Sequence, residues 1–429
     1  MAILIKNGRI IDPSAKLDKV GDLLIENGKI SKVCGGGNSK AAEIIDASGK
    51  IVVPGFVDMH THLREPGRED KETIRTGCRA AIAGGFTTVC AMPNTEPACD
   101  AQAHVKFILE KAAEAGFARV LPIGSITKAR LGKEMTEMQD LHDAGCLAVS
   151  DDGDSVADAG VMRRALEYAS MVGLLVMSHC EDKRLVGDGV MHEGYWSTIL
   201  GLKPIPVEAE STIVERDIQL AELAGARLHI SHVSAAKSVE IIRQAKKRGA
   251  RVTAEATPHH FTLRDEDLKG YNTNLKVNPP LRAAADIEAV MAGLKDGTID
   301  AIATDHAPHL ESEKEKEFDF APFGMIGLET ALSLAVMQLV EKGYLDWSGL
   351  VAKMATNPAR ILGLAAGSLA EGREADIAVI DPAKEWVYRK EEIVSRSTNS
   401  PFIGWKLKAK ISDVLVGGKV VLREGKLLL

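Results

Sequence analysis

The sequence predicts an α/β protein: a (β/α)8 barrel of the TIM type, with a small β-sandwich domain assembled from both chain ends. Three observations carry this. Eight apolar runs recur through the middle of the 429-residue chain, most of them separated by helix-like segments. Both ends instead carry short strand-like runs broken by Asn-Gly or Gly-Gly pairs. Five of the eight central runs end in His or Asp, at the edge where such barrels keep their chemistry.

The composite β-domain is expected over 1–52 and 366–429, and the barrel over 53–365. Near the N-terminus, Ala2–Ile5, Asp22–Ile25 and Lys29–Val33 read as strands. Asn7-Gly8 and Asn27-Gly28 read as hairpin turns between them, because both residue types accept positive φ. Near the other end, Ala375–Ile380, Ile411–Val416 and Lys419–Leu422 read the same way, with Gly417-Gly418 as a turn. The expected barrel strands are Val53–Met59, Thr87–Met92, Arg119–Ile126, Cys146–Asp152, Leu174–Cys180, Arg227–Val233, Arg251–Thr257 and Ile299–Asp305. Expected helices include Gln102–Ala115, Val161–Val172, Ser211–Leu223 and Ser238–Arg248, with Glu329–Lys342 closing the barrel. The charged run 311–319 reads either as a solvated loop or as a mobile flap over the site.

A formal net charge of -7 gives no basic stripe for nucleic acid. No run approaches the ~18 apolar residues of a membrane span, and Lys6 and Arg9 come too early for a signal peptide. None of the six cysteines forms a C-x-x-C pair, so reduced, buried thiols in a cytoplasmic protein are expected.

The chemistry gathers at the strand ends. In Val53 to Arg64 a buried strand finishes in His60-Thr-His62, and side chains two apart share a face. Later strands end in Asp151-Asp152-Gly153, His179, His232 and Asp305-His306. Alternation lets only one of Asp151 and Asp152 point inward, and it opposes His229 to His232. Paired ions share a nucleophile and polarise a carbonyl. His60, His62 and Asp305 are therefore expected to hold one ion and His179 with His232 the other, with Asp152 bridging. Nitrogen ligands mixed with carboxylates suit zinc, two ions per subunit. Asp305 can also carry a proton to a leaving nitrogen, which makes it the expected catalytic acid and base.

These residues resemble the cyclic amidohydrolases, most closely the dihydroorotase family. The motifs that carry the resemblance are His60-Thr-His62-Leu-Arg64-Glu-Pro-Gly, Met92-Pro-Asn94-Thr, Asp151-Asp152-Gly, His179-Cys-Glu, His232-Val-Ser, Asn278-Pro-Pro-Leu-Arg and Thr304-Asp305-His306-Ala-Pro-His309. The resemblance implies zinc-dependent, reversible cyclisation of N-carbamoyl-L-aspartate to L-dihydroorotate in pyrimidine synthesis, with a hydroxide shared by the ions attacking the ring amide. It implies that Arg64, Asn94 and His309 hold the substrate carboxylate beside His62, and that Asn278 and the Phe323-Gly324 backbone meet the ring amide groups. Many members of the wider superfamily bridge their metals with a carboxylated lysine on strand four. No lysine occurs from Glu134 to Asp182, so the bridge falls to Asp152, and the second zinc position is expected to fill only partly. A homodimer and a complex with aspartate carbamoyltransferase stay open as partners. The rival readings are an allantoinase or hydantoinase, and a non-catalytic scaffold for that transferase.

Overall fold

Ile51–Pro54 ties the two chain ends together: it pairs parallel with Ala2–Asp12 and antiparallel with Ile377–Val387. From this seam one continuous sheet of nine strands extends both ways, outward to Lys29–Val33 on one side and to Lys426–Leu427 on the other. The computed structural model describes residues 2–34 and 41–428. Ile3, Ile5, Ile10, Leu23, Ile25, Val52, Ile377 and Leu415 form a core that belongs to the sheet itself. Asn27-Gly28 and Gly417-Gly418 turn hairpins as expected. Asn7-Gly8 does not. Ala2–Asp12 is a single strand, and these residues absorb a register shift against Leu17–Glu26, with Asn7 at φ 60°. Positive φ serves a bulge as well as a turn.

The barrel strands are β1 (Phe56–Thr61), β2 (Phe86–Ala91), β3 (Arg119–Pro122), β4 (Ala148–Val149), β5 (Leu175–Ser178), β6 (Leu228–Ile230), β7 (Val252–Ala256) and β8 (Ala301–Ile302). Parallel ladders run β1 to β3 and β4 to β8. Bridges at Gly124 with Val149 and at Thr61 with His306 close the ring. The first strand was expected to start at Val53, but Val53 and Pro54 stay in the end sheet and Gly55 separates the two elements. A Cβ at Gly55 would lie 2.2 Å from the Thr87 hydroxyl, so the chain passes from sheet to barrel where only glycine fits.

Helices α1 (Ile74–Ala83), α2 (Gln102–Ala115), α3 (Met138–Ala144), α4 (Ala159–Val172), α5 (Glu208–Ala224), α6 (Ala236–Lys247) and α7 (Ala284–Asp296) surround the ring. Their starts are chemically marked. The Thr73 and Thr76 side chains cap α1 reciprocally, and the Asp158 carboxylate accepts the Val161 N–H at the head of α4. The closing helix α8 (Ala331–Ala335) continues as a π turn through Val336–Val340. Val57, Met59, Cys90, Ile123, Leu175, Met177 and Ala301 fill part of the barrel interior. Above that floor the polar strand ends are free to meet. Among the described residues, no helix is long and apolar enough to cross a membrane.

Candidate metal centre

Asp152 leaves β4 into the middle of four imidazoles. Its Oδ1 lies 3.2 Å from His60 Nε2, 3.5 Å from His179 Nδ1 and 3.6 Å from His232 Nε2. Its Oδ2 lies 3.4 Å from His62 Nε2. Asp305 approaches from β8, 3.0 Å from His62 Nε2 and 3.6 Å from His60 Nε2. All six groups are buried. Two sets of donor atoms are close enough to hold an ion: His60, His62 and Asp305, and His60, Asp152 and His232. His60 thus stands between the two positions. His179 joins from the side, with its Nδ1 2.8 Å from His232 Nε2.

The donors are unsatisfied by protein alone. His60 Nε2, Asp152 Oδ1, His179 Nε2 and His232 Nδ1 are buried with no hydrogen-bond partner among the described residues. Such orphaned atoms are costly unless a group from outside the chain satisfies them. Burial opposes charge at His60, yet Asp152 and Glu255 drive its pKa well above the ordinary value. Against the same burial, His60, His179 and His232 hold Asp152 well below the usual carboxylate range. His62 and His60 do so for Asp305. A dense set of carboxylates and imidazoles of this kind calls for cations, and nitrogen with oxygen donors fits zinc-type ions.

Strain marks the rim. His232 and Asp305 have φ of 35° and 47°, and Arg64 has 63°, a region that non-glycine residues seldom adopt. These three side chains are aimed by the bends that end their strands. The strands are accordingly shorter than the apolar runs suggest, because the polar residues leave the ladder to face one another.

Beside the cluster opens a cleft of about 250 Å³, lined by His62, Arg64, Asn94, Asp152, His179, His232, Asn278, Asp305, His309, Phe323 and Gly324 among others. Every substrate contact expected from sequence stands on this one cleft. Asn94 Oδ1 accepts from His62 Nδ1 at 2.8 Å. Arg64 Nε donates to the Pro308 carbonyl, and Nη2 reaches His309 Nε2 at 3.3 Å. Burial lowers the Arg64 pKa to about 10, which still leaves it charged at neutral pH. Burial, then Arg64, Lys71 and Lys314, push His309 well below its ordinary value, so its ring is neutral. Asn278 Nδ2 donates to Glu181 Oε1 at 2.8 Å. At Gly324, φ is 126° and a Cβ would lie 2.8 Å from the Ala307 Cβ, so this backbone can face the cleft only as glycine.

Other acids and imidazoles near the rim have structural partners. Asp151 turns away to accept from the Ile126 and Thr127 N–H groups. His306 bridges Glu72 and the Gly327 N–H. His260 is held between Thr257 and the Pro279 carbonyl. The run 311–319 is more anchored than a solvated loop. Phe318 is buried, and Lys276 Nζ donates to the Phe318 and Asp319 carbonyls. Buried Lys314 donates to Pro322.

Two contributors went unnoticed in the sequence. Glu255, fully buried on β7, accepts from His60 Nδ1 at 2.9 Å and from His229 Nε2 at 3.1 Å. A carboxylate behind a ligating imidazole fixes its tautomer and leaves Nε2 free to face a metal. An acid inside an apolar run was the available signal. Asn399 receives the His309 N–H and donates to the Ala307 and Gly324 carbonyls, so it braces three cleft residues at once. It lies 90 residues from His309, and nothing local in the sequence singles it out.

Comparison with known proteins places this arrangement. A family model described as "Dihydro-orotase-like" matches residues 49–238. The chain is 54% identical over 424 residues to a dihydroorotase of Pelotomaculum thermopropionicum, covering 99% of both chains. It is 52% identical over 422 residues to one of Trichlorobacter lovleyi, covering 98% of this chain and 99% of that one. Among solved structures, the L-hydantoinase of Arthrobacter aurescens superposes with a TM-score of 0.90 at 25% identity, covering 100% of this chain and 97% of that one.

Proposed function

Because the chain belongs to the dihydroorotase family, we propose that it interconverts N-carbamoyl-L-aspartate and L-dihydroorotate at the Asp152 rim. It is a cyclic amidohydrolase, and its substrate is a small molecule. One observation supports the reading most: a buried carboxylate–imidazole cluster and an Arg64–His309 pair open onto the same cleft.

His60, His62 and Asp305 would hold one zinc ion, and His179 with His232 the second, with Asp152 between. Zinc bound there would polarise the ring carbonyl and make water a competent nucleophile at neutral pH. The chain's own residues do the rest. Arg64 spends Nε on Pro308 and one Nη2 N–H on His309, and its other N–H groups are left for the substrate carboxylate, which it can meet with two parallel hydrogen bonds. Neutral His309 and the Asn94 amide complete that subsite. Asn278 and the Phe323-Gly324 backbone contact the ring amide groups. Asp305 is ionised in its resting state, so it accepts a proton from the attacking water and delivers it to the leaving ring nitrogen. Ring closure runs the same transfers backwards.

The fold match to a hydantoinase supports a second reading as an amidase of neutral rings. Arg64 in the cleft and the lysine-free stretch 134–182 speak against it. The six unpaired cysteines suit a cytoplasmic enzyme. Through the family alone, the reading extends to a homodimer and to association with aspartate carbamoyltransferase. The test is turnover by the zinc-loaded chain on dihydroorotate, allantoin and dihydrouracil side by side. Preference for dihydroorotate supports the assignment, and faster turnover of either neutral ring overturns it.

A further inference from the structure

The opposite mouth of the barrel holds a second cavity, of about 280 Å³, lined by Leu175, Leu228, Val252, Thr253 and Ile361 with Arg227, Arg251 and Arg360. Arg227 and Arg251 immediately precede β6 and β7, so this is the N-terminal face, away from the metal rim. The three guanidiniums are not neutralised. Arg227 donates to the Ile361 and Gly173 carbonyls, Arg251 to the Gly225 carbonyl, and Arg360 to the Asn357 side chain. Among the described residues no carboxylate forms an ion pair with any of them. Burial and then the nearby Arg251 charge depress the Arg227 pKa, which places two of the cations within reach of each other. Three converging, uncompensated arginines are out of keeping with a chain of net charge -7.

The cavity also touches the metal centre through hydrogen bonds. Thr253 Oγ1 lies 2.8 Å from His229 Nδ1, and His229 Nε2 lies 3.1 Å from Glu255 Oε2. Glu255 Oε1 in turn holds His60 Nδ1 at 2.9 Å. The chain of contacts passes down the barrel interior, and each of His229, Glu255 and His60 is fully buried.

We propose that this cavity binds a phosphate monoester with a flat apolar body, and that its occupancy is felt at His60 through Thr253. A dianionic phosphate matches several guanidiniums, which offer paired donors in a fixed fork. The leucine, valine and isoleucine floor suits a ring. The volume sits near the lower bound of small-molecule sites, ~300 Å³, and so favours a single ring over a larger ligand.

The test uses the full, zinc-loaded chain and phenyl phosphate as probe, followed by calorimetry. Inorganic phosphate and benzyl alcohol serve as the charge-only and ring-only comparisons. Phenyl phosphate is expected to bind more tightly than either. Arg251→Ala and Arg360→Ala, both exposed positions, should each weaken it by about tenfold, as loss of a charge-assisted contact does. Phenyl phosphate should also change the rate of zinc release to a chelator by about fivefold or more, the lower range of site-to-site coupling. Thr253→Val should keep the binding and lose that effect. Absence of binding overturns the site, and so does binding that survives the double arginine variant, which would place the probe at the metals. Equal affinity for inorganic phosphate or for benzyl alcohol overturns the ligand class. Zinc release that ignores the probe, or that still responds in Thr253→Val, overturns the coupling.

Discussion

Glu255→Gln isolates the carboxylate that aims His60. Burial alone would raise the Glu255 pKa, but hydrogen bonds from His229 and His60 prevail and bring it down to about 2, so it is ionised at every working pH. Its two oxygens take one ring N–H each, at 2.9 Å from His60 and 3.1 Å from His229. A glutamine keeps the shape but offers one oxygen and an amino group. One imidazole N–H, that of His60 or of His229, then faces a donor in a site closed to bulk solvent. Leaving such a buried group unsatisfied costs about 1–3 kcal/mol of stability. Because His60 is also the group that faces Asp152, zinc affinity should fall by ~10–100-fold, or about 1.4–2.7 kcal/mol. Competition against a chromophoric chelator measures the affinity, and circular dichroism checks that the variant is folded. A folded Glu255→Gln protein with zinc affinity within about twofold of the parent would refute the reasoning, since that change is under half a kcal/mol. It would mean that β1 alone sets the His60 ring.

Other perturbations separate the remaining roles. Asp305→Ala should cut turnover at least about a hundredfold while leaving the circular dichroism spectrum intact; ordinary activity would remove the proton-carrier role. Arg64→Met should lower kcat/KM for dihydroorotate by the loss of a charge-assisted contact, about 1.5–3 kcal/mol, and barely affect a neutral hydantoin; equal losses on both would contradict the carboxylate clamp. Burial, opposed by N–H bonds from Ser395 and Val394, raises Glu329 from 4.5 to about 7. A carboxyl whose folded pKa is raised favours the folded state while protonated, and that advantage is lost as pH climbs from 4.5 through 7. Thermal unfolding of Glu329→Gln, whose amide can still accept those N–H groups, should therefore fall off less between pH 5 and pH 8 than the parent's. Parallel melting curves would discard this explanation.

The fold was legible because its signals are local and repeated. Gln102–Ala115 is a helix at the expected bounds, and all eight apolar runs contribute a barrel strand. What the sequence misplaced are boundaries set by contacts from afar. Val53 and Pro54 look continuous with β1 but bond to Ile377 and Ala378, over 300 residues away. Asn7-Gly8 has turn chemistry, yet the strand runs on because Leu17–Glu26 pairs along its whole length. At the rim, alternation separated Asp152 from Asp151, but His229 and His232 both reach the barrel interior, because β6 ends at Ile230 and His232 bends back at a φ of 35°. The same rule could not find Asn399, which works from a loop, nor foresee that His60 would stand in both ion-sized groups. Charge pattern alone also suggested a solvated loop or a mobile flap over 311–319, whereas buried Lys276 caps its Phe318 and Asp319 carbonyls and the run's own Lys314 donates to the Pro322 carbonyl.

Crystals grown with zinc, with diffraction recorded on both sides of the zinc absorption edge, address the account at its root. The prediction is two anomalous peaks about 3.5–4 Å apart, one beside His60, His62 and Asp305 and the other beside His179 and His232, with Asp152 touching both. A rim without anomalous density, or zinc bound elsewhere while those side chains keep only protein partners, would contradict it.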